Sequence, residues 1–153
     1  MKKILDRLRF LINYNVGIVK NRRGNHRGAV KNYERAIKVN PNDAEVFYCC
    51  GIANFDLKNR EEAIKCYDKA IKLNSYHAKA YFNRGLAKEK LLDMENAIKD
   101  YNRAIELEKL PRAYLYRGLA KYMLKDIEGA RNDLTKAGEL GLTRAYDFIK
   151  NHF

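Results

Sequence analysis

An all-α array of four helical hairpins is the fold this sequence predicts, and three tracks of small residues predict it. Gly17, Gly51, Gly85 and Gly118 recur at steps of 34, 34 and 33 residues. Ala29, Ala63, Ala97 and Ala130 keep those steps, as do Ala36, Ala70, Ala104 and Ala137. A period of about 20 to 50 residues marks a stack of supersecondary units, none of which buries its apolar face alone.

Setting each glycine at position 8 of its unit places the repeats at 10–43, 44–77, 78–110 and 111–144, within a single domain spanning 1–153. Residues 1–9 extend the first helix at the front, and 145–153 form a capping helix at the back. Residues 3–21 read as one long amphipathic helix with Leu5, Leu8, Ile12 and Val16 along one side. A basic amphipathic helix also suits a membrane surface. The stripe runs straight into the packing positions of the repeat, so packing is the expectation.

Within a unit, positions 3, 7, 10 and 14 make one helical stripe, as in Val46, Cys50, Ala53 and Leu57. Positions 20, 24, 27 and 28 make the second. Between them stands Asn25, Asn59, Asp93 or Asp126, each suited to cap the second helix by accepting an orphan backbone N–H. Glu62, three residues after Asn59, adds a capping-box pattern. Gly and Ala at 8, 20 and 27 remove bulk where the two helices approach. A glycine inside a helix costs about 1 kcal/mol against alanine, so its fourfold recurrence requires a packing reason.

The third repeat is one residue short. Ala104 is in phase and Gly118 is one early, so the deletion lies within 105–117, with Pro111 expected to open the next helix. The last helix shows Leu142, Tyr146, Ile149 and Phe153 at helical spacing, with Phe148 left on its polar side. Gly141 is placed to end the helix before it.

These residues resemble the tetratricopeptide repeat (TPR) family. The resemblance is carried by Phe47, Gly51, Ala63, Tyr67 and Ala70 in repeat two and by Tyr81, Gly85, Ala97, Tyr101 and Ala104 in repeat three. It implies a right-handed superhelical solenoid whose first helices line a concave, peptide-binding groove. Departures are Asn13 in place of a bulky residue, Pro41 as the one repeat-ending proline, and Gly138 at a normally apolar position. Position 11, often aromatic in the family, is Lys20, Asn54, Lys88 and Lys121.

Composition narrows the function. With 46% apolar residues the chain fills a continuous core, and no apolar run reaches the roughly 18 residues of a membrane span. Lys2, Lys3, Asp6, Arg7 and Arg9 interrupt any signal-peptide core, which makes a cytoplasmic location the default expectation. Three cysteines, Cys49, Cys50 and Cys66, lack metal-ligand spacing and read as reduced thiols, Cys50 and Cys66 facing each other across one hairpin. No phosphate-cradling glycine loop, HExxH or nucleophile elbow is present. The expectation is a protein without catalytic residues, metal or cofactor.

Positions 7 and 23 change together: Arg84 with Asp100, Arg117 with Asp133, Cys50 with Cys66, Val16 with Asn32. The expectation is a half-buried arginine–aspartate pair in each of the last two hairpins, with Asp100 of the preceding repeat as the alternative partner of Arg117.

A different stripe carries the functional reading. Positions 5, 9 and 12 of the first helices are Tyr14, Ile18 and Asn21; Tyr48, Ile52 and Phe55; Phe82, Leu86 and Glu89; Leu115, Leu119 and Tyr122. Ten of these twelve are apolar or aromatic, on a side that water-facing helices keep polar. Asn15, Asn83, Tyr116, Lys79 and Arg112 flank them, supplying hydrogen bonds and positive charge. Two readings stand: packing between successive first helices, and a partner-binding groove.

The expected ligand is a protein or peptide segment, acidic with apolar anchors, and self-association through the same stripe is a related expectation. One TPR subtype grips the C-terminal carboxylate of chaperones. Asn83 matches one position of that clamp and Arg112 replaces a lysine at another, while Tyr48, Ile52 and Tyr116 depart from it. Two of five do not make a clamp. The alternative reading is a nucleic-acid-associated protein acting through its basic front. Residues 1–35 hold ten Lys/Arg against Asp6 and Glu34, or +8 of the net +12.

Overall fold

Nine α-helices and no strand make up the computed structural model, which describes residues 1–153. They are α1 (Lys2–Arg22), α2 (His26–Val39), α3 (Ala44–Asp56), α4 (Arg60–Leu73), α5 (Ala78–Lys90), α6 (Met94–Leu107), α7 (Pro111–Met123), α8 (Ile127–Glu139) and α9 (Arg144–His152). Two units divide the chain, Met1–Ser75 with α1 to α4 and Tyr76–Phe153 with α5 to α9. In the first, α1 pairs with α2, α2 with α3 and α3 with α4. In the second, α5 pairs with α6, α6 with α7, α7 with α8 and α8 with α9.

The glycine track has its packing reason. A Cβ on Gly17, Gly51 or Gly85 would stand 2.6, 2.5 or 2.7 Å from Cε1 of Tyr33, Tyr67 or Tyr101 respectively. Those three tyrosines are the largest fully buried side chains of the protein. Each first helix thus lacks a side chain where the ring of its partner helix enters. In the last hairpin Leu134 replaces the ring, and the nearest atom is a looser 3.0 Å away.

The caps follow the expectation with one exception. Asn25 accepts from the Gly28 N–H at 2.9 Å, Asp126 from Gly129 at 2.9 Å and Asp93 from Asn96 at 3.4 Å. Asn59 makes no such bond, and Glu62 accepts instead from Lys65 Nζ at 2.6 Å. An i,i+3 ion pair on the surface competes there with the capping box. Asp43, which the repeat pattern does not single out, caps α3 by accepting from Glu45 and Val46. Pro111 opens α7, and the connector before it, 108–110, is one residue shorter than the 40–43 connector between α2 and α3.

Each hairpin turn passes through the left-handed region at one position. Gly24 holds it at φ 77°, whereas Lys58, Leu92 and Lys125 adopt φ 66°, 64° and 67° without a glycine's freedom. The chain there turns back so that the next N–H reaches a carbonyl five residues earlier, as Asp93 does to Lys88 at 3.0 Å.

The arginine–aspartate pairs form, both bidentate. Arg84 donates through Nε and Nη2 to Asp100 at 2.9 and 2.5 Å, and Arg117 to Asp133 at 2.8 and 2.5 Å. Arg117 also reaches the preceding hairpin, where its partner is Asn102 Oδ1 at 2.7 Å rather than Asp100. The lysines at position 11 complete each site: Lys88 lies 2.8 Å from Asp100 and Lys121 2.8 Å from Asp133. In repeat one Lys20 donates to Asn32 at 2.8 Å, and in repeat two Asn54 donates to the Cys50 carbonyl at 3.1 Å. Positions 7, 11 and 23 therefore form one polar cluster in the last three hairpins, whereas in the first Lys20 and Asn32 pair without Val16, which is exposed. The cluster accounts for lysine where the family often has an aromatic ring.

Two expectations about the ends are corrected. Leu5, Leu8, Ile12 and Val16 do not pack; all four are exposed, and α1 instead rests on Phe10, Tyr14, Gly17 and Ile18. Positions 3, 7 and 10 of repeat two, Val46, Cys50 and Ala53, are buried because α2 covers them. No helix lies on that side of α1. At the other end Leu142, Ile149 and Phe153 pack as expected, Ala145 and Phe148 join them, and Tyr146 keeps 44% of its surface exposed. Phe148 meets the Tyr122 ring edge-on at 5.3 Å. A Cβ on Gly138 would fall 2.5 Å from the Tyr146 ring, which explains the glycine at that position.

Candidate functional site

The stripe at positions 5, 9 and 12 is built differently in the two units. In the first, α1 and α3 touch and their side chains line an open cleft of about 320 Å³. Tyr14, Ile18 and Ile52 form its apolar wall, with Cys49 beside them and Asn21, Arg22 and Glu45 at the rim. Tyr33, the buried ring of α2, closes the floor and stands 6.3 Å from Tyr14 in a tilted arrangement. Tyr48 lies against Tyr67 in the same way, at 6.1 Å. The recurrent tyrosine at position 24 is thus the support on which the groove-side aromatic rests.

Not every residue of the stripe faces outward. Phe82, Leu86 and Leu115 are buried within the second unit, so packing absorbs them. Phe82 contacts Tyr101 at 5.9 Å and Tyr116 at 5.8 Å. Phe55 is half-buried beneath the Arg60 guanidinium, 4.1 Å above its ring. Tyr122 meets Phe148, His152 and Phe153, all from the C-terminal segment. Glu89 accepts from the Tyr101 hydroxyl at 2.8 Å, which satisfies a buried phenol. Tyr14, Ile18, Tyr48, Ile52, Tyr116 and Leu119 remain half-exposed.

Among the flanking polar residues, Asn15, Lys79 and Arg112 are exposed and Asn83 is half-buried. Arg112 is not a free cation, because its guanidinium stands 5.3 Å from the Phe82 ring and 5.9 Å from Tyr116. A second, shallower cleft of about 180 Å³ lies between Leu115, Tyr116, Leu119, Arg144 and Phe148. The repeat pattern ends at Arg144, the first residue of α9, and could not supply Phe148. Cys49 and Glu45 were likewise missed, although both share a helix face with residues of the stripe.

Burial disfavours the charged form of the titratable groups that border the cleft. Burial, with Glu45 next to it, pushes the Cys49 thiol up to about 11. Burial also raises the Tyr14, Tyr67 and Tyr101 phenols. Cys50 and Cys66 act as a pair. Their mutual hydrogen bond lowers Cys66 and raises Cys50, so ionisation of one thiol suppresses that of the other. All three cysteines are free. No group of three or more His, Cys, Asp or Glu side chains is placed to hold a metal ion.

A family profile described as "TPR repeat" matches residues 17–58 and 53–91, and one described as "Tetratricopeptide repeat" matches 78–109. No curated protein matches the chain at a significant level. Among solved structures, the chain is similar to "Crystal structure of MamA", with TM-score 0.84 and 26% identity over 90% of this chain and 81% of that one. It is similar to MamA 41-end from Desulfovibrio magneticus RS-1, with TM-score 0.82 and 25% identity over 87% and 76% of the two chains. A third is the first TPR of Spaghetti (RPAP3) bound to the HSP90 peptide SRMEEVD, with TM-score 0.75 and 27% identity over 77% and 94%.

Proposed function

This chain belongs to the tetratricopeptide repeat family, and on that premise we propose that it is a non-catalytic interaction module. It holds an extended or helical segment of a partner protein against the first helices of its repeats. The observation that carries this reading is the α1–α3 cleft, where half-exposed Tyr14, Ile18 and Ile52 stand on a floor of buried tyrosine. Apolar anchors of a ligand displace water there without disturbing the core. Tyr116 and Leu119 offer the same chemistry in the second unit.

An acidic ligand is favoured by charge. Exposed Lys79 and Arg112 flank the stripe, and Arg22 edges the cleft. The similar RPAP3 structure carries a peptide, SRMEEVD, that joins apolar and acidic residues. Here the chaperone clamp is incomplete, so the apolar anchors are assigned most of the affinity and the cations the steering.

Photo-crosslinking from Tyr48 and from Tyr116 in intact cells tests the reading. The expected adduct is a partner segment rich in Asp/Glu with apolar anchors. With that segment as titrant, Ile52→Ala and Leu119→Ala each weaken binding about tenfold, the loss typical of a contact worth 1 to 2 kcal/mol. Adducts confined to a second copy of this chain, or affinities unmoved by both variants, overturn it. The alternative, nucleic-acid binding through exposed Arg22, Arg23 and Arg27, predicts an affinity falling steeply with salt and abolished by reversing those charges.

A further inference from the structure

The outward face of α1 is the largest feature that groove binding leaves unused. Ile4, Leu5, Leu8 and Ile12 project from the side opposite Phe10, Tyr14 and Gly17, which hold the helix to its unit, and Leu11 lies at the edge between the two faces. Ile4 is 66% exposed, Leu8 49% and Ile12 61%. Lys2 and Arg9 border this strip on one side and Arg7 on the other, Asp6 is the one acid among them, and Lys3 falls on the side of Phe10 and Tyr14. The Asp6–Arg9 pair, at 4.0 Å between exposed side chains, neutralises little.

We propose that this face docks α1 on an anionic lipid bilayer, the helix lying along the surface with its aliphatic strip in the acyl boundary. Three observations select that occupant. From Ile4 to Ile12 the strip is purely aliphatic, and exposed Asn15 at its far end is the one hydrogen-bonding side chain in line with it. Cations border it on both sides, where their stems lie along the apolar phase and their heads reach lipid phosphates. Stable peripheral binding requires an apolar and a basic signal together, and both coincide in residues 1–12. No helix is long and apolar enough to cross a membrane, so the attachment is superficial. A second copy fits less well. In either orientation its Lys2, Lys3, Arg7 and Arg9, or its Lys20, Arg22 and Arg23, would meet like charges.

The chain has no tryptophan, so Leu8→Trp places a single indole on the strip. Mixed with vesicles of phosphatidylcholine and phosphatidylglycerol, its emission shifts to the blue; with pure phosphatidylcholine vesicles it does not. Full-length protein sediments with the anionic vesicles, and each of Lys2, Arg7 and Arg9 replaced by Gln weakens that partition roughly fivefold. Leu8→Asp combined with Ile12→Asp abolishes it while the thermal melt stays unchanged, because neither side chain touches the core. An indole unresponsive to anionic vesicles overturns the proposal, as does undiminished sedimentation of the double variant. Concentration-dependent dimerisation removed by the double variant, without vesicle binding, reassigns the face to a second copy and overturns it as well.

Discussion

The absence of a single carbon atom at Gly51 has a measurable consequence. Alanine there gains about 1 kcal/mol of helix propensity, but its Cβ enters the space of the Tyr67 ring, 2.5 Å away. Overpacking of this kind costs about 1 to 3 kcal/mol, so clash exceeds propensity and Gly51→Ala destabilises. Gly118 faces Leu134 at 3.0 Å, and Gly118→Ala is expected to be milder by about 1 kcal/mol. Urea titrations of the two variants check the order; equal losses would mean the ring gives way freely.

At the same scale, buried Asp100 receives Arg84 and Lys88 together. Asp100→Ala strands both cations and should cost about 3 to 5 kcal/mol, whereas Arg84→Leu leaves Lys88 in place and should cost less. A double-mutant cycle between the two should give a coupling above about 0.5 kcal/mol. Additive losses would show that the bidentate contact contributes nothing to stability.

Elements differ in how well their local chemistry agrees with their shape. The four hairpin turns share one left-handed residue, yet glycine fills it in the first alone. Leu92 is the clearest mismatch, a bulky, exposed side chain at φ 64°. Leu92→Gly is expected to raise stability by about 1 kcal/mol, since relief of the strained backbone exceeds the entropy glycine adds to the unfolded chain. Thermal denaturation checks the sign, and a lower melting temperature would mean that Leu92 makes contacts that matter.

Helix α9 is the opposite case, a short element committed by side chains. Phe148 and Phe153 pack on Tyr122, so Phe148→Ala should cost about 1 to 3 kcal/mol, toward the low end because the ring is half-buried. The same change widens the cleft beside Leu115 and Leu119.

Charge sets the behaviour of the whole molecule. The i,i+3 pairs such as Lys65–Glu62, Arg103–Glu106 and Lys136–Glu139 join exposed side chains and contribute little. The excess of +8 in residues 1–35 outweighs them as a source of self-repulsion. Raising salt from about 0.05 to 0.5 M shortens the screening length severalfold and is expected to raise the melting temperature by a few degrees. A fall would mean that attraction between surface charges is the larger effect.

Much of this protein was legible in the chain because repetition multiplies a weak signal. One glycine in a helix says little; four in phase with Tyr33, Tyr67, Tyr101 and Leu134 specify a hairpin, its closest approach and its caps. The arginine–aspartate pairing was readable for the same reason, as a covariation between units. Position 11 carried that signal too, since Lys88 and Lys121 stand one turn after Arg84 and Arg117. Only the tertiary structure decided which apolar side chains are covered. Ile12 and Val46 occupy the same position in neighbouring repeats, yet one is exposed and the other buried, because α2 covers that side of α3 and no helix covers that side of α1. Likewise Leu115 and Tyr14 share a position, but the first is packed away and the second borders an open cleft. Hydrophobic periodicity records which face of a helix is apolar. Burial depends on a neighbouring surface, and that is a property of the assembled fold rather than of any local stretch of residues.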